Sequence, residues 1–237
     1  MKPKCYLLMD TSTKNFSLAV SRGGAVARFR NIKLDKVLSS SIIPCIERLL
    51  KQAGISLGDV SGFGIGTGPG SFTSLRVGLA TVKAFCLASG KPVVGIPSLD
   101  TLAQNVLNTA VPYVATLVDA RRDLVYACLY RATPRGLKRA CPYLLTGLDD
   151  FLPRLKGETI FLGDAVPLYR DRIEEYASRG RSSLSVLRCH WAQERMWFPR
   201  ANRMLPLVLD RIARKQTDAP DTLVPLYLYP EHCQVRR

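Results

Sequence analysis

Two stretches of the chain, 109 residues apart, carry one pattern, and that repeat restricts the fold more than any other feature. Leu8-Met9-Asp10 is followed, six residues after the Asp, by Phe16-x-Leu18-x-Val20. Leu117-Val118-Asp119 is followed at the same interval by Val125-x-Ala127-x-Leu129. In each copy an apolar strand ends in Asp, turns through polar residues and returns with the period-2 alternation of a half-buried strand. The offset is close to half of the 237 residues, which predicts two related lobes rather than a solenoid.

Between the copies, strand and helix signals alternate. Residues 5–9, 16–21 and 25–29 read as a three-strand meander, with Gly23-Gly24 as a tight turn. A helix is expected over 37–53, with Leu38, Ile42, Ile46, Leu49 and Ala53 on one side, Ile43 and Leu50 as a second apolar edge, and Gly54 as its terminator. Pro44 either kinks it or marks its first turn. A strand over 63–65, a Gly-Pro-Gly loop, a helix over 71–88 and a strand over 92–96 follow. Ser98 is placed to cap a helix reaching about Leu107. Later come a strand over 137–145, a helix over 148–155, a strand over 159–162, a helix over 166–177 and a polar loop over 178–185. An amphipathic helix around Leu205, Val208, Leu209 and Ile212 precedes an extended tail from Pro220.

An apolar share of 47% excludes wholesale disorder. The longest interior stretch without charge, 101–118, contains Gln104, Asn105, Asn108 and Pro112 and makes a poor membrane span. Five apolar residues between Lys4 and Asp10 are too few for a secretory signal core, so a soluble cytoplasmic protein is expected. Seven cysteines without a Cys-x-x-Cys pair argue against a disulfide framework or structural zinc. Most of the thiols should be small buried apolar groups. The net charge is +15. Residues 1–60 hold 10 basic and 4 acidic side chains, 61–120 hold 3 and 2, and the remainder 21 and 13, so the middle is nearly neutral. A field of this size favours anionic partners such as RNA; it serves solubility equally well.

Asp10-Thr11-Ser12 can hold a phosphate through backbone N–H groups and hydroxyls, or can simply close its hairpin as an Asx-turn, and spacing alone favours the second. Gly68-Pro69-Gly70-Ser71 opens a helix, an arrangement suited to an anion, yet it matches neither G-x-G-x-x-G nor a P-loop. Ala80, Ala84 and Ala88, with Ser74 and Gly78, form small stripes that admit a close helix, either within the core or at a subunit interface. His190 and His232 each adjoin a cysteine, and adjacent side chains point apart, so neither a Cys-His nucleophile nor a metal site is expected.

Four strings occur in the order of a known family: Leu8-Met9-Asp10-Thr11-Ser12, Gly66-Thr67-Gly68-Pro69-Gly70-Ser71-Phe72-Thr73-Ser74-Leu75-Arg76-Val77-Gly78, Gly95-Ile96-Pro97-Ser98-Leu99-Asp100 and Val118-Asp119-Ala120-Arg121. Together they resemble the TsaB (YeaZ) family of bacterial tRNA threonylcarbamoyladenosine biosynthesis proteins. The likeness covers about the first 130 residues well and returns at Met204-Leu205-Pro206 and Val224-Pro225-Leu226-Tyr227-Leu228. It implies an α/β, actin/Hsp70-like (ASKHA) two-lobed fold, each lobe a mixed sheet with helices. The N-terminal lobe would span 1–97, completed by a helix at about 202–215; the C-terminal lobe would span 98–200, with 216–237 as tail. It also implies a non-catalytic accessory subunit that pairs with a TsaD-like catalytic subunit, joined by a TsaE-like ATPase. ATP is used by the wider complex, no cofactor is assigned to this chain, tRNA is met through the complex with at most weak direct contact, and the chain alone forms a homodimer. The implied interface holds Leu38, Ile42, Ile46, Ser74, Gly78, Ala80, Ala84 and Ala88, with Asp10, Thr11, Ser12 and Asp119 as vestigial phosphate turns and Gly68, Pro69, Gly70 and Ser71 as a structural loop.

Three positions depart from the family pattern: Ser74 stands where Gly is frequent, Leu38 lies where a His-containing stretch is common, and Arg122-Asp123 replaces a Gly after the Asp-Ala-Arg turn. The His-x-x-x-His metal site of TsaD-like members is missing, and Phe161-Leu162-Gly163-Asp164 offers one glycine where an adenosine-binding turn needs more. The competing reading is an independent ATPase or small-molecule kinase of the same fold. It would use both Asp hairpins to hold Mg²⁺ and ATP.

Overall fold

The structure, a computed structural model, describes residues 2–33, 38–155, 157–179 and 186–229. The chain divides into two units, residues 1–101 with 199–226 and residues 102–198 with 227–237.

The first unit is built on the meander β1 (Cys5–Asp10), β2 (Asn15–Arg22) and β3 (Ala25–Lys33). After helix α1 (Leu38–Ala53) come β4 (Val60–Gly66), helix α2 (Phe72–Ser89) and β5 (Val93–Ile96). The sheet order is β3-β2-β1-β4-β5, antiparallel through the meander and parallel beyond it. Alternation sorts the two faces. Cys5, Leu7 and Met9 pack with Leu38, Ile42, Ile46 and Leu49 of α1 and with Leu79, Val82 and Cys86 of α2. Tyr6 and Leu8 face the other way, onto Ala201, Met204, Leu205 and Val208 of α6 (Ala201–Ala213). Helix α1 ends in a Schellman motif: Gly54, at φ +61°, donates its N–H to Lys51 O at 3.1 Å, and Ile55 donates to Leu50 O at 3.1 Å. Helix α2 stops at Gly90, at φ +66°.

The second unit begins within the last turn of α3 (Ser98–Ala103). It contains β6 (Tyr113–Asp119), β7 (Leu124–Thr133), β8 (Gly136–Arg139), β9 (Leu144–Gly147), α4 (Leu148–Phe151), β10 (Glu158–Leu162), α5 (Val166–Arg179) and β11 (Arg188–Trp191). Its order, β11-β10-β6-β7-β8, is that of the first sheet read from the other edge, with β9 also paired to β7. Ala115, Leu117, Val125, Ala127 and Leu129 pack against Phe151, Val166, Tyr169 and Ile173 of α4 and α5. Two sheets of one strand order, each starting from an apolar strand ending in Asp, make this the actin/Hsp70-like α/β fold.

Several elements differ from the sequence reading. The strand expected over 137–145 is two strands on the same side of β7, interrupted at Ala140, Cys141, Pro142 and Tyr143 because Pro142 has no N–H for the ladder. Strand β11 was not expected. Pro44 lies inside α1 without ending it. The tail is more than a surface strap. Asp218 bridges Val93, Leu223 is buried in the first unit's core and Leu226 N–H donates to Thr67 O at 2.8 Å. Residues 180–185 of the loop expected over 178–185, the start of the α1 region at Val37 and the tail beyond 229, including His232, lie outside the described residues. Among the described residues no helix is long and apolar enough to cross a membrane.

Candidate functional site

Asp10 ends β1 almost wholly buried, and its carboxylate is fully engaged by the protein itself. Oδ1 accepts from Ser12 N at 2.9 Å and from Ser12 Oγ at 2.6 Å, and Oδ2 accepts from Ser98 Oγ at 2.7 Å. Ser98 also clamps the glycine loop: its Oγ accepts from Gly68 N at 3.0 Å, and its own N–H donates to Gly68 O at 2.7 Å. The loop then lies on the hairpin, where Ser71 N–H donates to Ser12 O at 2.7 Å. Burial pushes the Asp10 carboxyl above its ordinary range, against the pull of the Ser12 and Ser98 hydrogen bonds.

Glycines make this closure possible. A Cβ on Gly66 would stand 2.0 Å from Asp10 Oδ2, one on Gly70 would stand 2.1 Å from Ser12 O, and one on Gly78 would stand 2.4 Å from Thr11 Oγ1. The Asp-Thr-Ser turn, the Gly-Pro-Gly loop and the start of α2 therefore interlock without space for side chains between them. Ser71 makes no side-chain capping bond to α2; its hydroxyl meets that of Ser74 at 3.1 Å. The expected cap at Ser98 is corrected here: its hydroxyl serves Asp10 and Gly68. The signal that marks this site is Gly66 at the end of an apolar strand, because glycine within a strand marks close approach of other atoms, here Asp10 and Ser98.

The second Asp hairpin is built differently. Asp119 Oδ1 accepts from Arg121 N at 2.8 Å, and Asp119 N–H donates to Asp164 Oδ1 at 3.0 Å. Arg121, Arg122 and Asp123 stand at φ 68°, 52° and 57°, three consecutive left-handed residues where the family pattern has a glycine nearby. Tyr229 Oη donates to Ala120 O at 2.8 Å from behind this turn. Gly163 packs under β6, where a Cβ would meet Leu117 O at 1.9 Å, so that glycine is spent on packing.

The residues expected at an interface separate into two sets. Leu38, Ile42, Ile46 and Gly78 are buried inside the first unit. The second apolar edge read for α1 divides: Leu50 is buried in the same core, and Ile43 is exposed. Ala80, Ala84 and Ala88 are exposed along α2, Ser74 is half-buried, and the same helix exposes Phe72 and Leu87. Arg76 lies over the Phe72 ring, 3.9 Å from its centroid.

The family described as TsaD, tRNA N6-adenosine threonylcarbamoyltransferase, matches residues 33–182, more than half of the chain. The tRNA threonylcarbamoyladenosine biosynthesis protein TsaB of Escherichia coli K12 is 27% identical, over 94% of this chain and 93% of its own length. The protein of the same name from Bacillus subtilis 168 is 30% identical, over 71% of this chain and 75% of its own length. Among solved structures, YeaZ from Pseudomonas aeruginosa superposes with a TM-score of 0.75 at 23% identity, over 95% of this chain and all of that one. The motif order, the paired sheets and these relatives agree: the chain belongs to the TsaB (YeaZ) family.

Proposed function

We propose that this chain is a non-catalytic accessory subunit in the synthesis of threonylcarbamoyladenosine in tRNA, pairing with a TsaD-like catalytic subunit. The observation that carries the reading is the closed Asp10 cluster. A nucleotide-using member of this fold needs amides and a carboxylate turned towards a phosphate and its Mg²⁺. Here the Ser12 amide is bonded to Asp10, the Ser71 amide to Ser12 O and the Gly68 amide to Ser98. The turn that would hold a phosphate instead holds the loop that opens α2, and so sets the position of that helix.

The exposed side of α2 supports the pairing. Ala80 and Ala84 admit close backbone approach, and Phe72 and Leu87 supply apolar area at either end. The same face takes a second copy when the partner is absent, so self-pairing and partner-pairing compete. A TsaE-like ATPase joins the complex, which consumes ATP in the cytoplasm and brings the tRNA.

The test is nucleoside mass spectrometry on tRNA from cells depleted of this chain and supplied with the wild type or with Ala84→Arg. The wild type should restore the modified nucleoside. The variant should remain folded, because Ala84 is exposed, yet fail to co-purify with the TsaD-like protein and fail to restore it. Unchanged modification after depletion overturns the reading. Nucleotide turnover by the isolated chain that disappears in Asp119→Asn would favour the independent ATPase or kinase.

A further inference from the structure

We propose that Cys128 and Cys141 form a reactive thiol pair, Cys141 as nucleophile and Cys128 as resolving thiol, that hydroperoxides convert into an intramolecular disulfide. The register of the second sheet brings them together. β7 and β8 pair from Tyr130↔Arg139 to Thr133↔Gly136. The same register continues to Leu129 opposite Ala140, where Ala140 N–H donates to Leu129 O at 2.7 Å. One step further sets Cys128 opposite Cys141.

That step lies past the last laddered pair, Tyr130↔Arg139, so the two cysteines meet through their side chains and not through mutual backbone bonds. The ladder opens there, and sulfur takes its place. Leu129 N–H donates to Cys141 Sγ at 3.2 Å, and Cys128 Sγ lies 3.6 Å from Cys141 O. Neither thiol is in a disulfide; Cys128 is buried and Cys141 half-buried.

The surroundings favour the thiolate at Cys141. The hydrogen bond from the Cys128 side chain outweighs burial; with the Leu129 N–H and the charges of Arg154 and Arg139 it lowers the thiol to about 6. Burial acts in the opposite sense, alone on Cys86 and together with the Glu174 charge on Cys189, raising each to about 11. Cys141 is therefore held towards its thiolate at neutral pH, with the Cys128 thiol hydrogen-bonded to it.

The chemistry is balanced by the peroxide. Cys141 thiolate attacks one peroxide oxygen, the O–O bond breaks, and the leaving alkoxide or hydroxide takes a proton. Cys128 Sγ then attacks the resulting sulfenic sulfur, the S–O bond breaks, and hydroxide leaves with the Cys128 proton as water. Two thiols and one hydroperoxide give one disulfide, one alcohol or water, and one water.

The test treats the full chain with one equivalent of hydrogen peroxide at pH 7 and maps unreduced peptides by mass spectrometry. A Cys128–Cys141 linkage is expected in the wild type. Cys128→Ala should stall at a sulfenic acid that dimedone captures, and Cys141→Ala should give neither product. On the untreated wild type, iodoacetamide labelling of Cys141 should rise with a midpoint near pH 6, a readout that does not depend on any variant folding. Labelling of Cys141 that rises only above pH 8, or a linkage joining Cys141 to a different cysteine, overturns the proposal.

Discussion

At the scale of single residues, the two Asp turns store opposite kinds of cost. Arg122 stands at φ 52° in a run of three left-handed residues, and each such L-residue costs roughly 1–2 kcal/mol against the right-handed conformation. Glycine carries no such cost, although it loses more entropy on folding. Arg122→Gly should therefore stabilise the fold by about 1 kcal/mol. Urea unfolding would show a higher midpoint with the slope unchanged; a lower midpoint would mean that the side chain's contacts outweigh the strain. Asp10 has the other cost, a buried carboxylate. Its folded-state pKa is raised, so the stability it contributes is full below the ordinary carboxylate range and is lost as pH rises through the raised value. Asp10→Asn cannot ionise. The stability of the wild type relative to Asp10→Asn should accordingly fall with rising pH across that window. Paired urea titrations at successive pH values check the sign, and a difference that grows with pH would show that the Ser12 and Ser98 bonds dominate.

At the scale of elements, Gly78 sets helix propensity against packing. In an exposed helix Gly→Ala gains up to about 1 kcal/mol. In α2 the added Cβ would stand 2.4 Å from Thr11 Oγ1, so Gly78→Ala should instead destabilise by about 1–3 kcal/mol. Thr11→Ala in the same chain removes the obstructing atoms and should recover much of the loss, which thermal unfolding of the single and double variants would measure. What was legible in the sequence follows the same division between local and distant causes. Alternation makes β2 and β7 readable, and the glycine at 54 marks the end of α1, because these signals lie within or beside the element itself. The repeat of Asp10 at Asp119 foretells two sheets of one strand order. By contrast, Arg188-Cys189-His190-Trp191 alternates over only four residues, too short a run to mark β11, whose parallel partner is β10. The role of Ser98 is set by Asp10, 88 positions earlier, so a cap was the natural local reading. The burial of Leu38, Ile42 and Ile46 depends on how much sheet lies beneath α1, which periodicity does not measure.

At the scale of the whole molecule, the net charge of +15 is not equally available over the surface. Along α5 and β11 the arginines are matched by acids: Arg170 with Glu174, Arg172 with Asp149, Arg179 with Glu175 and Arg188 with Glu158. On β3, an edge strand, the guanidinium groups of Arg28 and Arg30 bond, among the described residues, neutral acceptors: the carbonyls of Ala27 and Phe29 and the amide of Gln52. Both are exposed and stand opposite Val20 and Leu18, so they share the face of the sheet that carries α1. Charge without a carboxylate partner attracts phosphate without first giving up an ion pair, and each phosphate neutralised releases counterions. Binding of tRNA by the purified chain should consequently weaken steeply with salt. Contact with about four phosphates corresponds to roughly a tenfold loss in affinity for each doubling of salt. Replacing both arginines, as Arg28→Gln with Arg30→Gln, should leave unfolding within about 0.5 kcal/mol of the wild type, because both side chains are on the surface. The slope of log affinity against log salt should become shallower by about two, one for each lost phosphate contact. Filter binding of the wild type and the double variant across a salt series measures both slopes. Equal slopes would move the contact away from this edge, and binding that ignores salt would separate the charge from RNA altogether.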